Sequence, residues 1–329
     1  MREPSFWHER DKHSRASAPL TRMLLTPLAA IYERAGANRI AKATPFKADI
    51  PVICIGNLTV GGTGKTPVVQ TLRAALNAKG LRAASLSRGY KGELKGPLKV
   101  DFTAHTAKQV GDEPLMLSCS GEAWIGANRE AAARAMQADG VDIIIMDDGH
   151  QNPTLHKDLS IVVIDGGNPC GNGFVFPKGP LREPVAIGLS RADAVIIMGK
   201  LAYPLPELKD LTIPVIDTQI TPMGPAPDGP LVAFAGIGRP QKFFDTLTDA
   251  GANLADAVPF PDHHTFSQSD ITYLRTLARE RDARLITTEK DFVRLAGAQR
   301  EDILAFPIRI DLSQSDIDDL LAPVLKQQP

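Results

Sequence analysis

The sequence of 329 residues is poor in cysteine and in long apolar runs, and each shortage excludes a class of protein. Its three cysteines, Cys54, Cys119 and Cys170, are widely spaced, which argues against a disulfide framework or a zinc site and fits a reducing cytosol. In the apolar N-terminal segment the longest uncharged stretch is residues 23–32, far shorter than the ~20 residues that span a bilayer. It also lacks the cleavage site of a signal peptide. We therefore expect neither a transmembrane helix nor secretion.

Charge is nearly balanced overall but unevenly distributed. The net charge is −1, so the sequence predicts no general basic surface and no nucleic-acid partner. Residues 1–47 carry nine Lys or Arg and four Asp or Glu, a net charge of +5, and the remainder carries −6. In this basic segment Leu20, Leu24, Leu28 and Ile31 fall at helical spacing, and Pro27 predicts a kink or two short helices. Spacing alone favours a helix packed on the protein's own core over an amphipathic helix in a membrane interface.

A glycine-rich segment between an apolar run and a helical pattern predicts a phosphate-binding loop. Residues 51–55 have the pattern of a buried strand, and residues 68–76 have helical periodicity. Backbone N–H groups and the positive end of the helix would converge on the turn between them, where a phosphate binds well. Lys65 is expected to reach the β- and γ-phosphates and Thr66 to ligate Mg²⁺. The predicted nucleotide-binding residues are Thr59, Gly61, Gly62, Thr63, Gly64, Lys65 and Thr66.

Apolar strands alternate with helices, which predicts an α/β fold with a doubly wound parallel sheet of the P-loop NTPase type. Strands are expected at residues 82–87, 141–146, 159–164 and 192–198. A segment rich in Pro and Gly then predicts a linker. A second, smaller α/β lobe should follow, with strands at residues 231–235, 284–288 and 306–310, and the acceptor site should lie between the lobes. The predicted units are residues 1–47, 48–220, 221–230 and 231–329.

Acidic residues and a histidine pair are the candidates for chemistry. Asp147 and Asp148 end an apolar strand, which is the Walker B position for Mg²⁺. Asp112 lies in a Gly-Asp-Glu-Pro segment that alone indicates a helix cap equally well. His263 and His264 lack the partners of a zinc site, so acid–base chemistry or substrate contact is favoured over metal binding, with a structural loop as the alternative.

Together these motifs resemble one family, the tetraacyldisaccharide 4′-kinases of lipid A synthesis. The likeness runs in order over nearly the whole chain, through the apolar N-terminal segment and through residues 56–67, 87–90, 111–114, 147–149, 171–173, 179–183, 262–263 and 287–291. Thr59, where the usual phosphate loop has its first glycine, is this family's form. One departure is Asn152, because the family commonly has Leu-Gln-His where this chain has His150-Gln151-Asn152. A role for a histidine at position 152 is therefore unsupported.

The resemblance implies transfer of the γ-phosphate of ATP to the 4′-hydroxyl of an acylated glucosamine disaccharide 1-phosphate, with ATP and Mg²⁺ as cofactors. It implies that Asp112 accepts the hydroxyl proton, and that His263 comes from the second lobe to orient or polarise that group. Lys65 would hold the phosphates. Thr66, Asp147 and Asp148 would serve Mg²⁺. The expected substrate and supporting residues are Arg88, Arg182 and Glu183.

The resemblance also changes the expectation for the basic N-terminal segment. A lipid with several acyl chains leaves the bilayer only at a cost of ~0.8 kcal/mol per buried CH₂. The enzyme is therefore expected to act as a peripheral protein at the cytoplasmic face of the inner membrane, docked through its N-terminal helix. The resemblance gives no indication of an obligate protein partner.

Two other classes fit part of the sequence. A P-loop ATPase or GTPase switch, such as a metal-insertion factor, would explain the phosphate loop and Asp147 but not His263 or the basic apolar start. Thr288-Glu-Lys-Asp291 is only a poor match to the base-reading motif of GTPases. A membrane scaffold that binds nucleotide without turnover is the third class, and it would not need Asp112.

Overall fold

An eight-stranded sheet forms the larger, first lobe. The computed structural model describes residues 3–11, 14–262 and 264–326. The strands are β1 (Val52–Gly56), β2 (Ala83–Ser87), β3 (Leu98–Lys99), β4 (Ala123–Ile125), β5 (Ile143–Asp147), β6 (Leu159–Asp165), β7 (Ala194–Met198) and β8 (Val215–Thr218). Their order is β3-β4-β2-β5-β1-β6-β7-β8, and only β3 runs antiparallel to its neighbour. The predicted α/β fold with a mostly parallel sheet is confirmed.

Helices cover both faces of this sheet, which explains why its central strands are apolar throughout. On one face α2 contributes Val68, Leu72 and Leu76 to a core that also contains residues of α4. On the other face α5 contributes Ala132 and Met136. Before the chain leaves this lobe, its helices are α2 (Lys65–Ala78), α3 (Ala107–Val110), α4 (Asp112–Cys119), α5 (Arg129–Ala138) and α6 (Val185–Leu189).

The second lobe is built on a four-stranded parallel sheet. Its strands are β10 (Pro230–Ala235), β11 (Asn253–Pro259), β12 (Arg284–Thr288) and β13 (Ile303–Phe306), in the order β11-β10-β12-β13. Its helices are α7 (Pro240–Asp249), α8 (Gln268–Glu280) and α9 (Glu289–Phe292). Phe234 lies at the centre of its core, in edge contact with Phe260 and Phe266. The expected second α/β lobe is present.

The chain passes twice between the lobes, and here one prediction is wrong. Residues 306–310 do not form one strand: β13 ends at Phe306 and β14 (Ile308–Ile310) pairs antiparallel with β9 (Ile220–Pro222). Pro307 separates the two strands, because its nitrogen has no hydrogen to donate to a ladder. The last helix, α10 (Gln314–Leu325), then packs into the core of the first lobe. The unit boundaries remain a proposal, with this return to the first lobe inside residues 231–329.

The N-terminal segment forms one helix, α1 (Pro19–Ala41), with Pro27 inside it. Of the two outcomes expected at Pro27, the division into two short helices is absent. The carbonyl that loses its partner belongs to Met23 on an exposed stretch, where solvent can replace the bond. Leu20, Met23 and Leu24 are 77%, 74% and 77% exposed. A helix packed on the core through its apolar residues is therefore the wrong alternative. None of the described helices has the length and apolarity needed to cross a bilayer.

Candidate active site

A cleft of about 2820 Å³ lies between the two lobes and is bordered by α1. Lys65 and Asp112 line it from the first lobe, Asp262 and Lys290 from the second, and Tyr32 from α1. The carboxyl ends of the central strands of the first sheet open into it, as expected for a ligand site of this architecture.

The phosphate loop has the backbone that its glycines predict. Gly61 and Gly64 have φ of +104° and +86°, values at which a side chain would strain the backbone. Gly64 is the N-cap of α2, and Lys65, which begins the helix, is buried. Asn57 is also buried, and its Nδ2 donates to the carbonyls of Thr59 at 2.9 Å and Gly61 at 3.4 Å. Asn57 therefore fixes the loop from beneath, a role that the sequence reasoning missed.

The first of the two adjacent aspartates, Asp147, ends β5 and is buried. Its Oδ2 accepts a hydrogen bond from Ser87 Oγ at 3.4 Å, but its Oδ1 accepts none from the described residues. Burial, followed by the nearby charge of Glu113, raises the pKa of Asp147 to about 7. A buried carboxylate oxygen without a donor is suited to a cation, and Mg²⁺ prefers oxygen ligands.

Asp148 has different partners. Its Oδ1 accepts from Arg182 Nη1 at 2.7 Å and lies 3.4 Å from Lys65 Nζ. Burial alone would raise the pKa of Asp148, but Lys65 and Arg182 outweigh it and hold the pKa at about 2. Within the described part of the chain no three His, Cys, Asp or Glu residues form a metal cluster.

A polar network behind the loop holds Arg182 and Glu183. Glu183 accepts from Arg191 Nη2 at 2.7 and 2.6 Å and from Gln151 Nε2 at 2.9 Å. Gln151 Nε2 also donates to the Asn57 carbonyl at 2.9 Å. Arg182 and Glu183 thus support the phosphate loop through Gln151. Sequence reasoning did not identify Gln151 or Arg191, because neither lies in a pattern that predicts this contact.

Asp112, the candidate base, begins α4 and accepts a hydrogen bond from a charged side chain of the second lobe. Arg294 Nε donates to Asp112 Oδ2 at 2.8 Å. Arg294 was not among the predicted site residues. The only signal for it is its position three residues after the weak Thr287–Asp291 segment.

The predicted partner of Asp112, His263, lies outside the described residues. Its neighbour Asp262 lines the cleft. On the other side, His264 stacks on Phe260 with ring centroids 4.8 Å apart, and its Nε2 lies 3.0 Å from Asp270 Oδ2. These contacts assign His264 to the structure of the loop.

Arg88 and the segment His150-Gln151-Asn152, which departs from the family pattern, are the remaining residues named from the sequence. Arg88 follows β2, is exposed and lines the cleft. His150 is buried between Ser160 Oγ at 3.0 Å and the Gly188 carbonyl at 2.8 Å, and burial lowers its pKa to about 4. His150 is therefore neutral near pH 7 and has a structural place. Asn152 Oδ1 accepts from Thr154 N at 3.0 Å in the following turn.

Known proteins are similar to this chain over almost its whole length. The family described as LpxK, tetraacyldisaccharide-1-P 4′-kinase, matches residues 21–326. A tetraacyldisaccharide 4′-kinase of Hyphomonas neptunium is 56% identical over 329 residues and covers 99% of each chain. One of Maricaulis maris is 51% identical over 332 residues, covering 99% of this chain and 97% of that protein. A crystal structure of LpxK from Aquifex aeolicus in complex with ATP has a TM-score of 0.75 and 26% identity, and the match covers 92% of this chain and 99% of that one. The chain therefore belongs to the family of tetraacyldisaccharide-1-P 4′-kinases, as its motifs predicted, and the class of nucleotide-dependent switch proteins is not favoured.

Proposed function

We propose that this cleft binds ATP and Mg²⁺ on the first lobe and performs the reaction for which the family is named. The reaction is transfer of the γ-phosphate of ATP to the 4′-hydroxyl of tetraacyldisaccharide 1-phosphate, a step of lipid A synthesis. The observation that carries the proposal is that the candidate groups for each part of the reaction surround a single cleft. The phosphate loop, Asp147, Asp112 and the exposed apolar helix α1 all line the same cleft or flank it.

The nucleotide is held by the loop and by Lys65. In the proposal, backbone amides of residues 61–66 bind a phosphate at the start of α2. The ammonium of Lys65 adds a fixed positive charge at the same point, and its closeness to Asp148 keeps it in place. Thr59, Gly61, Gly62, Thr63, Gly64, Lys65 and Thr66 form the proposed nucleotide-binding set.

The donor set fits Mg²⁺, because Asp147 offers an oxygen without a donor and the hydroxyl of Thr66 lines the same cleft. Asp147 and Thr66 would hold the ion, and Asp148 would stand beside it, already neutralised by Lys65 and Arg182. Bound there, Mg²⁺ neutralises charge on the β- and γ-phosphate oxygens.

The acceptor is activated by Asp112. As its 4′-oxygen attacks the γ-phosphorus, the hydroxyl proton passes to the Asp112 carboxylate and the bond from phosphorus to the ADP oxygen breaks. In the proposal His263 orients the hydroxyl. Arg88, exposed in the cleft, contacts the acceptor or a phosphate, and Arg182 and Glu183 support the loop.

The lipid is reached through α1. Its exposed apolar side chains and the exposed Arg34 and Arg39 fit the interface of an anionic membrane, where the acyl chains of the acceptor lie. We propose that the enzyme is a peripheral protein on the cytoplasmic face of the inner membrane.

The test is transfer of labelled γ-phosphate from Mg-ATP to detergent-dispersed tetraacyldisaccharide 1-phosphate. Wild type should label the lipid, and Asp112→Ala should lose at least about 100-fold in rate because the general base is gone. Asp101→Ala, which removes an exposed aspartate outside the cleft, is the matched control and should transfer normally. Lipid labelling by Asp112→Ala at the wild-type rate would refute the role of Asp112. ATP hydrolysis without lipid labelling by wild type would refute the reaction.

A further inference from the structure

Arg294 is fixed by the second lobe at a point where that lobe meets the first. It lies in the turn after α9, and its side chain is 5% exposed. Its Nη1 donates to the Gly236 carbonyl at 2.8 Å and to Asp291 Oδ1 at 2.7 Å. Asp291 is fully buried, and its other oxygen accepts from Gly236 N at 2.9 Å and Thr288 Oγ1 at 2.8 Å. The guanidinium therefore has a defined position set by β10, β12 and α9.

From this position Arg294 reaches across the lobe boundary. Its Nε lies 2.8 Å from Asp112 Oδ2, although the two residues are 182 positions apart in the chain. Asp112 is 23% exposed and lines the cleft, so the carboxylate is held on one side and faces the cleft on the other. A hydrogen bond between a cation and a carboxylate is short, strong and directional, and it restricts rotation of the carboxylate.

The packing around the pair makes this bridge rigid. Helix α4, which carries Asp112, packs against α9. Val293, directly before Arg294, is buried in the core of the first lobe, although the turn belongs to the second. The second lobe therefore holds Arg294, while the first lobe buries its neighbour Val293. Together the two residues fix the distance between the lobes at this point.

We propose that Arg294 is a positioning residue for the transfer reaction, which orients the Asp112 carboxylate and couples its orientation to the placement of the second lobe. This inference rests on the proposed role of Asp112 as the base. Arg294 does not contact the substrate in this proposal. It acts through Asp112, and it makes the active orientation of the base dependent on the docking of the second lobe.

A double-mutant cycle tests the proposal. We expect Arg294→Gln to lower kcat for lipid labelling by about 10- to 100-fold, since small misplacements of a reacting group cost up to that much. The KM for ATP should be unchanged, because the phosphate loop lies in the first lobe. Arg294→Lys, which keeps the charge but loses the planar fork, should recover part of the rate. Arg275→Gln removes a bidentate arginine of the same lobe outside the cleft and should match wild type.

The second half of the cycle separates positioning from general damage to the fold. In an Asp112→Asn background, Arg294→Gln should cause no further loss, because the proposed route from Arg294 to the reaction runs through the Asp112 carboxylate. An additional loss of tenfold or more, or a wild-type kcat for Arg294→Gln alone, would overturn the inference. If Asp112→Asn is itself fully active, the proposed base is wrong and the inference falls with it. ATP binding by each variant confirms that the first lobe is folded.

Discussion

At the residue scale, two adjacent aspartates of one motif have opposite electrostatic surroundings. Asp147 ends a buried strand, where burial and Glu113 raise its pKa to about 7. Asp148 has a φ of +55°, and Lys65 and Arg182 overcome burial to hold its pKa at about 2. The two carboxylates therefore have different partners. In the proposed function Asp147 holds the cation and Asp148 orients Lys65 and Arg182.

Asn57 is expected to be needed for tight ATP binding. Asn57→Ala removes the amide that donates to the carbonyls of Thr59 and Gly61, so the loop loses its support from below. We expect the Kd for ATP to rise about tenfold, as for loss of one or two buried hydrogen bonds. Isothermal titration calorimetry measures this directly. Asn77→Ala is the matched control, because Asn77 accepts a hydrogen bond from Ala83 N at the far end of α2. Equal weakening by both variants would contradict the prediction.

Glu122 is expected to stabilise the fold in a pH-dependent way. Burial alone would raise its pKa, but hydrogen bonds from Arg82, Trp124 and Lys99 outweigh burial and lower the pKa below its ordinary value. A carboxylate with a lowered pKa contributes stability above the pKa of the unfolded chain, and that stability is lost as pH falls through the folded pKa. Glu122→Gln should therefore lower the melting temperature by about 2 °C at pH 7 and by less near pH 3.

Differential scanning calorimetry between pH 3 and pH 8 tests the prediction for Glu122. The control is Glu130→Gln, because Glu130 pairs with Arg134 on the exposed face of α5 and such pairs contribute little. A difference between wild type and Glu122→Gln that stays constant over this range would show that the ion pair is not its source.

At the scale of elements, α1 is unusual because most of its large apolar residues are exposed while Arg22 is buried. We expect the triple variant Leu20→Gln, Leu24→Gln, Leu28→Gln to lose at least about 100-fold in partition onto vesicles that contain anionic lipid. Burial of each leucine in a bilayer contributes about 1.5–3 kcal/mol. Affinity for ATP should stay the same, because the substituted residues lie outside the phosphate loop.

Vesicle sedimentation with Tyr273→Gln as control tests the docking role of α1. Tyr273 is an exposed aromatic residue on α8 that lies outside the cleft, so its loss should leave partition unchanged. Undiminished vesicle binding by the triple variant would remove α1 as the docking element, and the lipid would then have to be reached through another surface.

Elements determined by a local sequence pattern were predictable. Those determined by solvent exposure or by pairing with a distant strand were not. The phosphate loop and the strand that ends at Asp147 follow from local patterns of glycine and apolar residues. Pro27 and Pro307 show the limit. The same residue type lies inside a continuous helix in one case and separates two strands of different sheets in the other. At Pro27 the helix continues because the freed carbonyl of Met23 lies on an exposed stretch. At Pro307 the chain changes sheets because the next strand, β14, pairs with β9.

The contacts of the site show the same limit. Asp112 was predicted from its motif, but Arg294 is 182 positions away and becomes its partner only through the docking of two lobes. Gln151 likewise meets Asn57 across 94 positions. Neither pairing has a signature in the local sequence, because each depends on how the sheets are packed and not on the residues beside it.

At the scale of the whole molecule, the second lobe is inserted into the first. The chain leaves the first lobe after β8, and β9 pairs with β14 where the chain returns. Helix α10 then buries Ile317, Leu320, Leu321 and Val324 in the core beneath α2. Helix α10 therefore completes the core of the first lobe beside β1 and α2, although it lies far from them in the sequence.

Because the second lobe is inserted into the first, we expect the same change, Leu to Ala, at two buried positions to destabilise different lobes. Leu321 on α10 and Leu274 on α8 are both fully buried, so each change to Ala should cost about 2–5 kcal/mol. Leu321→Ala should increase hydrogen exchange in β1 and α2, far along the sequence, and weaken ATP binding, because it opens the first lobe. Leu274→Ala should increase exchange in β10 and β12 and leave ATP binding intact. If Leu321→Ala instead increased exchange only in the second lobe, α10 would belong to that lobe, and the dependence of the nucleotide site on the C-terminal helix would be refuted.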